Sequence, residues 1–168
     1  METIETPVGA PRTRIVMQAT DLNDQAGMER AFRDYFRQVA QATPRALNAM
    51  LEAELVRCDF SEQSVVLGVE IQPWMTNPGG ILHGGVTASL LDLAMGVLSR
   101  YVSGGVMTPT IDLNIKYLRS ATAPCRLCVS GRITKRGRTF VHAESALWRP
   151  GQEDRLLAAA EGIYCVQS

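Results

Sequence analysis

Asp92 is the only charged residue between Gly84 and Ser99, and His83, Gly84 and Gly85 stand just ahead of it. Its neighbours Leu90, Leu91, Leu93, Ala94 and Met95 strip the carboxylate of much of its water if this stretch packs into a core. An uncompensated buried charge is costly, which leaves specific partners, protonation or chemistry. A partner is available in Arg100, two turns on, or in a nearby backbone amide. If Gly84 opens a helix, however, its amide is one of the unpaired donors at the positive dipole end, suited to a developing oxyanion. The simpler readings are a tight loop-to-helix turn for the glycines and a hydrogen-bonded loop residue for His83.

Spacing constrains how these groups can cooperate. Gly84 and Asp92 are eight residues apart, which along a helix is about 12 Å. That is too far for one carboxylate and one amide to act on the same carbonyl within a single chain. Two copies related by a twofold axis would set Gly84 of one opposite Asp92 of the other and carry two identical composite sites.

The elements that must position these residues follow from periodicity. Residues 1–22 lack it and contain Pro7, Gly9 and Pro11, so a flexible tail is expected, although the run Arg14 to Met17 could dock. Apolar residues at Met28, Ala31, Phe32, Tyr35, Phe36 and Val39 predict an amphipathic helix, capped by Asn23 or Asp24 and stopped by Pro44. Strands are expected at 51–60 and 64–71, then a turn-rich loop, then a buried helix from about Gly85 to Val102. Four more strands are expected at 110–118, 126–134, 139–148 and 156–166, with Lys135 to Arg138 as a tight polar turn. The economical architecture is α+β, with one long apolar helix wrapped by a mostly antiparallel sheet in a single domain spanning 23–168.

Composition excludes some classes of function. The chain has 168 residues with 17 basic and 17 acidic side chains, which argues against broad electrostatic capture of nucleic acid or an anionic membrane. No uncharged apolar run reaches membrane-spanning length and the N-terminus has no apolar signal region, so the expected compartment is the cytoplasm. Cys125 and Cys128 are formally a C-x-x-C pair, but on a strand they point to opposite faces. With two histidines in the chain and only Cys58 and Cys165 besides, reduced thiols are expected, with no metal site and no disulfide framework.

The run Asn77-Pro78-Gly79-Gly80-Ile81-Leu82-His83-Gly84-Gly85, then Leu91-Asp92, then Thr110 to Arg119 resembles the hotdog-fold acyl-CoA thioesterases. Within the 4-hydroxybenzoyl-CoA thioesterase superfamily the likeness is to the phenylacetate-pathway branch, and it covers roughly residues 50 to 166. Weaker matches are Gly131-Arg132, Gly137-Arg138-Thr139 and Ala158 to Gly162. The resemblance implies a curved antiparallel sheet around a central helix, assembled as a homodimer or a dimer of dimers. It implies that Asp92 is nucleophile or general base, that the Gly84 amide polarises the thioester carbonyl, and that His83 supports the loop. Asn77 would position thioester or water, and Thr110 would orient the water near the acid.

Coenzyme A belongs to the substrate in such a reaction, and no separate cofactor is expected. Its phosphates fit the basic residues Arg119, Lys135, Arg136 and Arg138, and Gly85 joins them as a candidate substrate contact; the plainer reading of the basic cluster is a solvated turn. Trp74, Met75 and Met107 are candidates for an acyl pocket or for core packing, and His142 reads as packed or surface-exposed. Competing functions are a hotdog dehydratase or hydratase, a non-catalytic acyl-CoA sensor, and a structural dimer in which Asp92 is only paired. The His–Asp/Glu motifs typical of the first do not occur, and the first 50 residues hold no recognisable DNA-binding region for the second.

Overall fold

The computed structural model of the chain describes residues 15–18 and 21–167. Its centre is the helix predicted to be buried. Taken in chain order, the helices are α1 (Gln25–Ala42), the single turn α2 (Leu47–Met50) and α3 (Gly84–Val102). The strands are β1 (Glu54–Asp59), β2 (Ser64–Ile71), β3 (Thr110–Tyr117), β4 (Cys125–Arg136), β5 (Phe140–Trp148) and β6 (Ala158–Cys165).

α3 is apolar on all sides, and Leu90, Leu91, Ala94, Met95 and Leu98 are wholly inaccessible. Such a helix must be enclosed rather than laid on a surface. The six strands form one antiparallel sheet in the order β1-β2-β4-β5-β6-β3. Residues of five of them, β2 to β6, approach the same helix. Five flat strands span about 19 Å, nearly twice the width of a helix, so the sheet has to curve around α3. This is the long helix in a curved antiparallel sheet that the sequence led us to expect.

The tightest approach is at Gly131 on β4. A Cβ there would sit 2.8 Å from the Ala94 carbonyl oxygen, so the missing side chain lets the strand press on the helix backbone. On the opposite face of the sheet a small second cluster unites Val66, Cys128 and Trp148. Cys125 packs against the main core while Cys128 lies in this outer cluster, as their strand spacing requires. All four cysteines are unbridged, and among the described residues no cluster could hold a metal ion. Nor is any helix among them long and apolar enough to cross a membrane.

α1 closes one end of the core. Asp24 caps it by accepting from the Gly27 amide, and Met28, Ala31, Phe32, Tyr35 and Val39 face inward, as their spacing predicted. Most of residues 1–22, expected as a tail, lies outside the described residues; within it, Ile15 to Gln18 are placed. Val16 exchanges two hydrogen bonds with the Gln38 side chain, and Met17 is buried beside Gly105.

Two element boundaries differ from expectation. The strand expected from Leu51 starts only at Glu54, because α2 precedes Leu51 and Glu52 takes a left-handed conformation (φ 48°) that interrupts extension. β4 runs on through Lys135 and Arg136 by way of a bulge after Ile133, so the turn itself is confined to Gly137, Arg138 and Thr139.

Candidate active site

The Gly84 end of α3 is assembled by the loop before it. Asn77 organises that loop: its Oδ1 accepts from the amides of Gly79 (2.9 Å) and Ile81 (3.2 Å), and its carbonyl accepts from Gly80. Gly80 sits at φ 74°, a left-handed conformation suited to glycine. The side-chain Nδ2 of Asn77 has no acceptor among the described residues.

His83 is the N-cap of α3, with extended backbone (φ −65°, ψ 136°), and its Nδ1 accepts from the Gly85 amide at 2.9 Å. A neutral ring accepting at Nδ1 carries its proton on Nε2, which makes the exposed His83 a donor. A Cβ at Gly85 would come within 3.1 Å of that Nδ1, so the glycine makes room for the ring. Gly85 therefore spends its amide inside the loop. The Gly84 amide, by contrast, meets no acceptor among the described residues and lies exposed at the positive end of a 19-residue helix. Tyr117, from the end of β3, fixes this corner by donating to the Gly84 carbonyl at 3.1 Å. Beside it lies a cleft of ≈ 340 Å³ lined by Leu82, Gly84, Tyr117, Arg119 and Leu157.

The Asp92 end is built from distant parts of the chain. Asp92 is half-buried, and two hydroxyls converge on its Oδ1: Thr110 Oγ1 at 2.8 Å and Tyr164 Oη at 2.9 Å. Its Oδ2 has no partner among the described residues. Thr110 and Tyr164 are direct cross-strand partners on β3 and β6, so both side chains rise from the sheet toward the same point of the helix. Just beyond them the ladder slips by one residue at Ile111, a bulge of the kind that re-aims side chains beside functional sites. Arg100, considered at the sequence level as a partner for the acid, instead bonds the Gly105 and Ile15 carbonyls.

Thus Asp92 and Thr110 meet, as do His83, Gly84 and Gly85 beside Asn77, but the two groups stand at opposite ends of β3. The basic residues divide likewise. Arg119 donates to the Leu156 carbonyl at 2.7 Å at the Gly84 end. Lys135, Arg136 and Arg138 are exposed around the β4–β5 turn, at the end of the sheet where Thr110 lies. Met75 is wholly buried and packs in the core, whereas Trp74 and Met107 are exposed. His142 is half-buried on the outer side of the sheet near Asp112, Glu144 and Glu161.

Two contributors escaped sequence reasoning, Tyr117 and Tyr164. For Tyr164 the available signal was parity, since it follows Ala158, Ala160 and Gly162 on the helix-facing side of β6. Burial, followed by the neighbouring Asp92 charge, raises its ionisation well above the usual phenol range, so it remains a donor.

Comparison with known proteins bears on the fold that carries these residues. The sequence profile of the thioesterase superfamily matches residues 79–155, which include Gly84, Asp92 and Thr110. Acyl-coenzyme A thioesterase 13 of Mus musculus is 27% identical over 81 residues; the match takes in 48% of this chain and spans only 58% of the mouse protein's length. Among solved structures, zebra fish thioesterase superfamily member 2 superposes with a TM-score of 0.73 at 24% identity, covering 83% of this chain and 98% of that one. A phenylacetic acid degradation-related protein from Ralstonia eutropha JMP134 gives a TM-score of 0.67 at 25% identity, covering 79% and 99%. The profile match spans the loop, α3 and strands β3 to β5, and the shared α+β architecture identifies the fold: the chain has the hotdog fold of these thioesterase structures.

Proposed function

We propose that the chain is an acyl-CoA thioesterase, a thioester hydrolase whose reaction site is completed by a second copy across a twofold axis. The observation that carries this reading is the placement of the two half-sites on β3. Thr110, at the strand's start, holds Asp92, and Tyr117, at its end, holds Gly84. β3 is an edge strand, bonded to β6 on one side only. Antiparallel pairing of this edge with its twin lays the start of one strand beside the end of the other, bringing Asp92 to the Gly84 amide of the partner subunit. The exposed Ile111 and Tyr117 on β3 suit such a contact. The same operation moves the partner's Arg119 toward Lys135, Arg136 and Arg138, where a coenzyme A phosphate group would find several cations at once.

The chemistry follows from the groups assembled. The thioester carbonyl oxygen takes the Gly84 N–H, a donor aimed by the helix end and strengthened by its dipole. Asn77 Nδ2 and His83 Nε2–H are further donors on the same loop. Oδ2 of Asp92, the carboxylate oxygen with no partner among the described residues, either attacks the carbonyl carbon or takes a proton from the water that does. In the first route a C–O bond to Asp92 forms as the C–S bond breaks, and water then hydrolyses the mixed anhydride to free acid and restores the carboxylate. In the second the C–O bond forms from water directly. In both the coenzyme A thiolate leaves and is protonated. The name of the mouse relative points to the same substrate class. No metal step is needed.

The test is release of free thiol from a panel of acyl-CoA esters. Asp92→Asn should lower turnover ~100-fold or more. Gly84→Pro removes the amide while sparing the helix, since proline is tolerated at the first helical position and His83 already has the extended backbone that proline requires before it. Mixing and re-equilibrating these two inactive variants should restore about a quarter of wild-type activity, because half the dimers are mixed and each holds one intact site. Absence of recovery would place both groups in one subunit. Tight acyl-CoA binding without turnover would indicate a sensor, and hydration of an unsaturated acyl thioester would indicate a hydratase.

A further inference from the structure

We infer that Tyr164 is a positioning residue that, together with Thr110, selects which oxygen of Asp92 reacts. The inference rests on the reading of Asp92 as the reactive carboxylate. Its basis is the convergence of two hydroxyls on Oδ1, at 2.8 Å from Thr110 and 2.9 Å from Tyr164. A carboxylate with one oxygen doubly bonded can no longer rotate freely about its Cβ–Cγ bond. Oδ2 is then held in one direction, away from β6 and toward the space that the substrate must enter.

The surroundings of Tyr164 show that the fold is shaped for this phenol. The residue is wholly inaccessible, and its ring lies between two glycines on different elements. A Cβ at Gly96, one turn beyond Asp92 on α3, would stand 3.4 Å from the ring. A Cβ at Gly162, two residues back on the same face of β6, would stand 3.0 Å from Cε2 and 3.2 Å from the hydroxyl. Any side chain at Gly162 would therefore crowd the ring and its hydroxyl, which must give by a few tenths of an ångström. A phenylalanine would fill the same slot without a buried hydroxyl to satisfy, and burying a hydroxyl is unfavourable unless it is hydrogen-bonded. Among the described residues, the only polar atoms it bonds are the carboxylate and carbonyl oxygens of Asp92, the latter at 3.3 Å. The hydroxyl is placed for Asp92.

The two hydroxyls differ in their surroundings. Thr110 is exposed in the single chain, whereas Tyr164 is wholly inaccessible within it. Both donate to the same oxygen, so removing either lets the carboxylate turn away from the substrate, which lowers kcat without weakening substrate binding.

The experiment is the kcat and KM of thiol release for Tyr164→Phe, Thr110→Val and Gly162→Ala beside wild type and Asp92→Asn. Tyr164→Phe should lower kcat about tenfold, with KM little changed. Thr110→Val should lower kcat in the same way. Gly162→Ala, which keeps the phenol but crowds it, should reproduce the fall in kcat even if Tyr164→Phe folds poorly. An unchanged kcat in folded Tyr164→Phe, or in Gly162→Ala, would overturn the inference while Asp92→Asn remained inactive. Retained turnover in Asp92→Asn would instead overturn the underlying reading.

Discussion

The Gly84 and Asp92 corners of α3 are built by different physics. At Gly84 the side-chain hydrogen bonds that shape the loop are local, with Tyr117 and the Ala121 carbonyl tying it to β3 and the segment after it. Asn77 holds its own loop, His83 caps its own helix, and Gly85 yields space to His83. This corner is exposed. At Asp92 nothing local contributes, and the two hydroxyls arrive from residues 18 and 72 positions away. A loop-built donor can be disturbed without disturbing the core, but a packed acid cannot. Tying Oδ1 to β3 and β6 makes its position a property of the whole helix–sheet interface.

That contrast is broken most forcefully from the Asp92 side. Gly131→Ala adds a Cβ against the Ala94 backbone, two residues from Asp92, and no flexible side chain is there to yield. The strand or the helix must shift. The expected cost is ~2 kcal/mol of stability, with a fall in Tm of roughly 5 °C. Because a misplacement of about 1 Å can cost about a hundredfold in rate, turnover should fall by a similar factor. Thermal unfolding and thiol release on one preparation check both; loss of stability with full activity would show that Asp92 tolerates movement of its helix.

How much of this was legible beforehand follows the same division. Spacing was enough for α1 and α3, since Met28 to Val39 recur every three or four residues and the run after Gly84 is apolar throughout. It was also enough for the Gly84 corner, whose members are neighbours in sequence. The second hydroxyl on Asp92 was not legible, because it depends on the register of β6 against β3 and of both against α3. One residue of slip would turn Tyr164 to the outer face. The Ile111 bulge and the contact of Gly131 with Ala94 have the same character: each is a relation between elements, with no trace in the composition of either. The start of β1 was missed for another reason, as Glu52 adopts a left-handed conformation that its residue type does not advertise.

A milder intervention sharpens the contrast from the loop side. His83→Ala deletes the cap on Gly85 and the Nε2 donor, but leaves the core untouched because His83 is exposed. Loss of a cap costs ~1 kcal/mol. Turnover should fall about tenfold while Tm moves by roughly 3 °C or less. A drop in Tm as large as that of Gly131→Ala would mean that the loop is part of the core's cooperative unit, and the distinction between the two ends would fail.

The smallest effect is expected in alkali, where the packing of the Asp92 corner should show in the ionisation of Tyr164. Tyr164 is wholly buried. Desolvation, then the charge of Asp92, raises the ionisation of Tyr164 in the folded chain, while in the unfolded chain a phenol loses its proton near pH 10. Below pH 10 both states keep the proton and the full stability is present; above it the unfolded state alone releases the proton, so stability declines until the folded phenol ionises too. Tyr101, raised by burial to about 12, adds to the decline between pH 10 and 12, and buried Tyr35 acts in the same direction. One such proton steepens the slope by ~1.4 kcal/mol per pH unit at most. Denaturant unfolding at pH 9, 10 and 11 should show a shallower alkaline decline in Tyr164→Phe than in wild type. Equal slopes for the two would mean that the Asp92 corner opens to solvent before the chain unfolds, leaving it no more tightly packed than the loop.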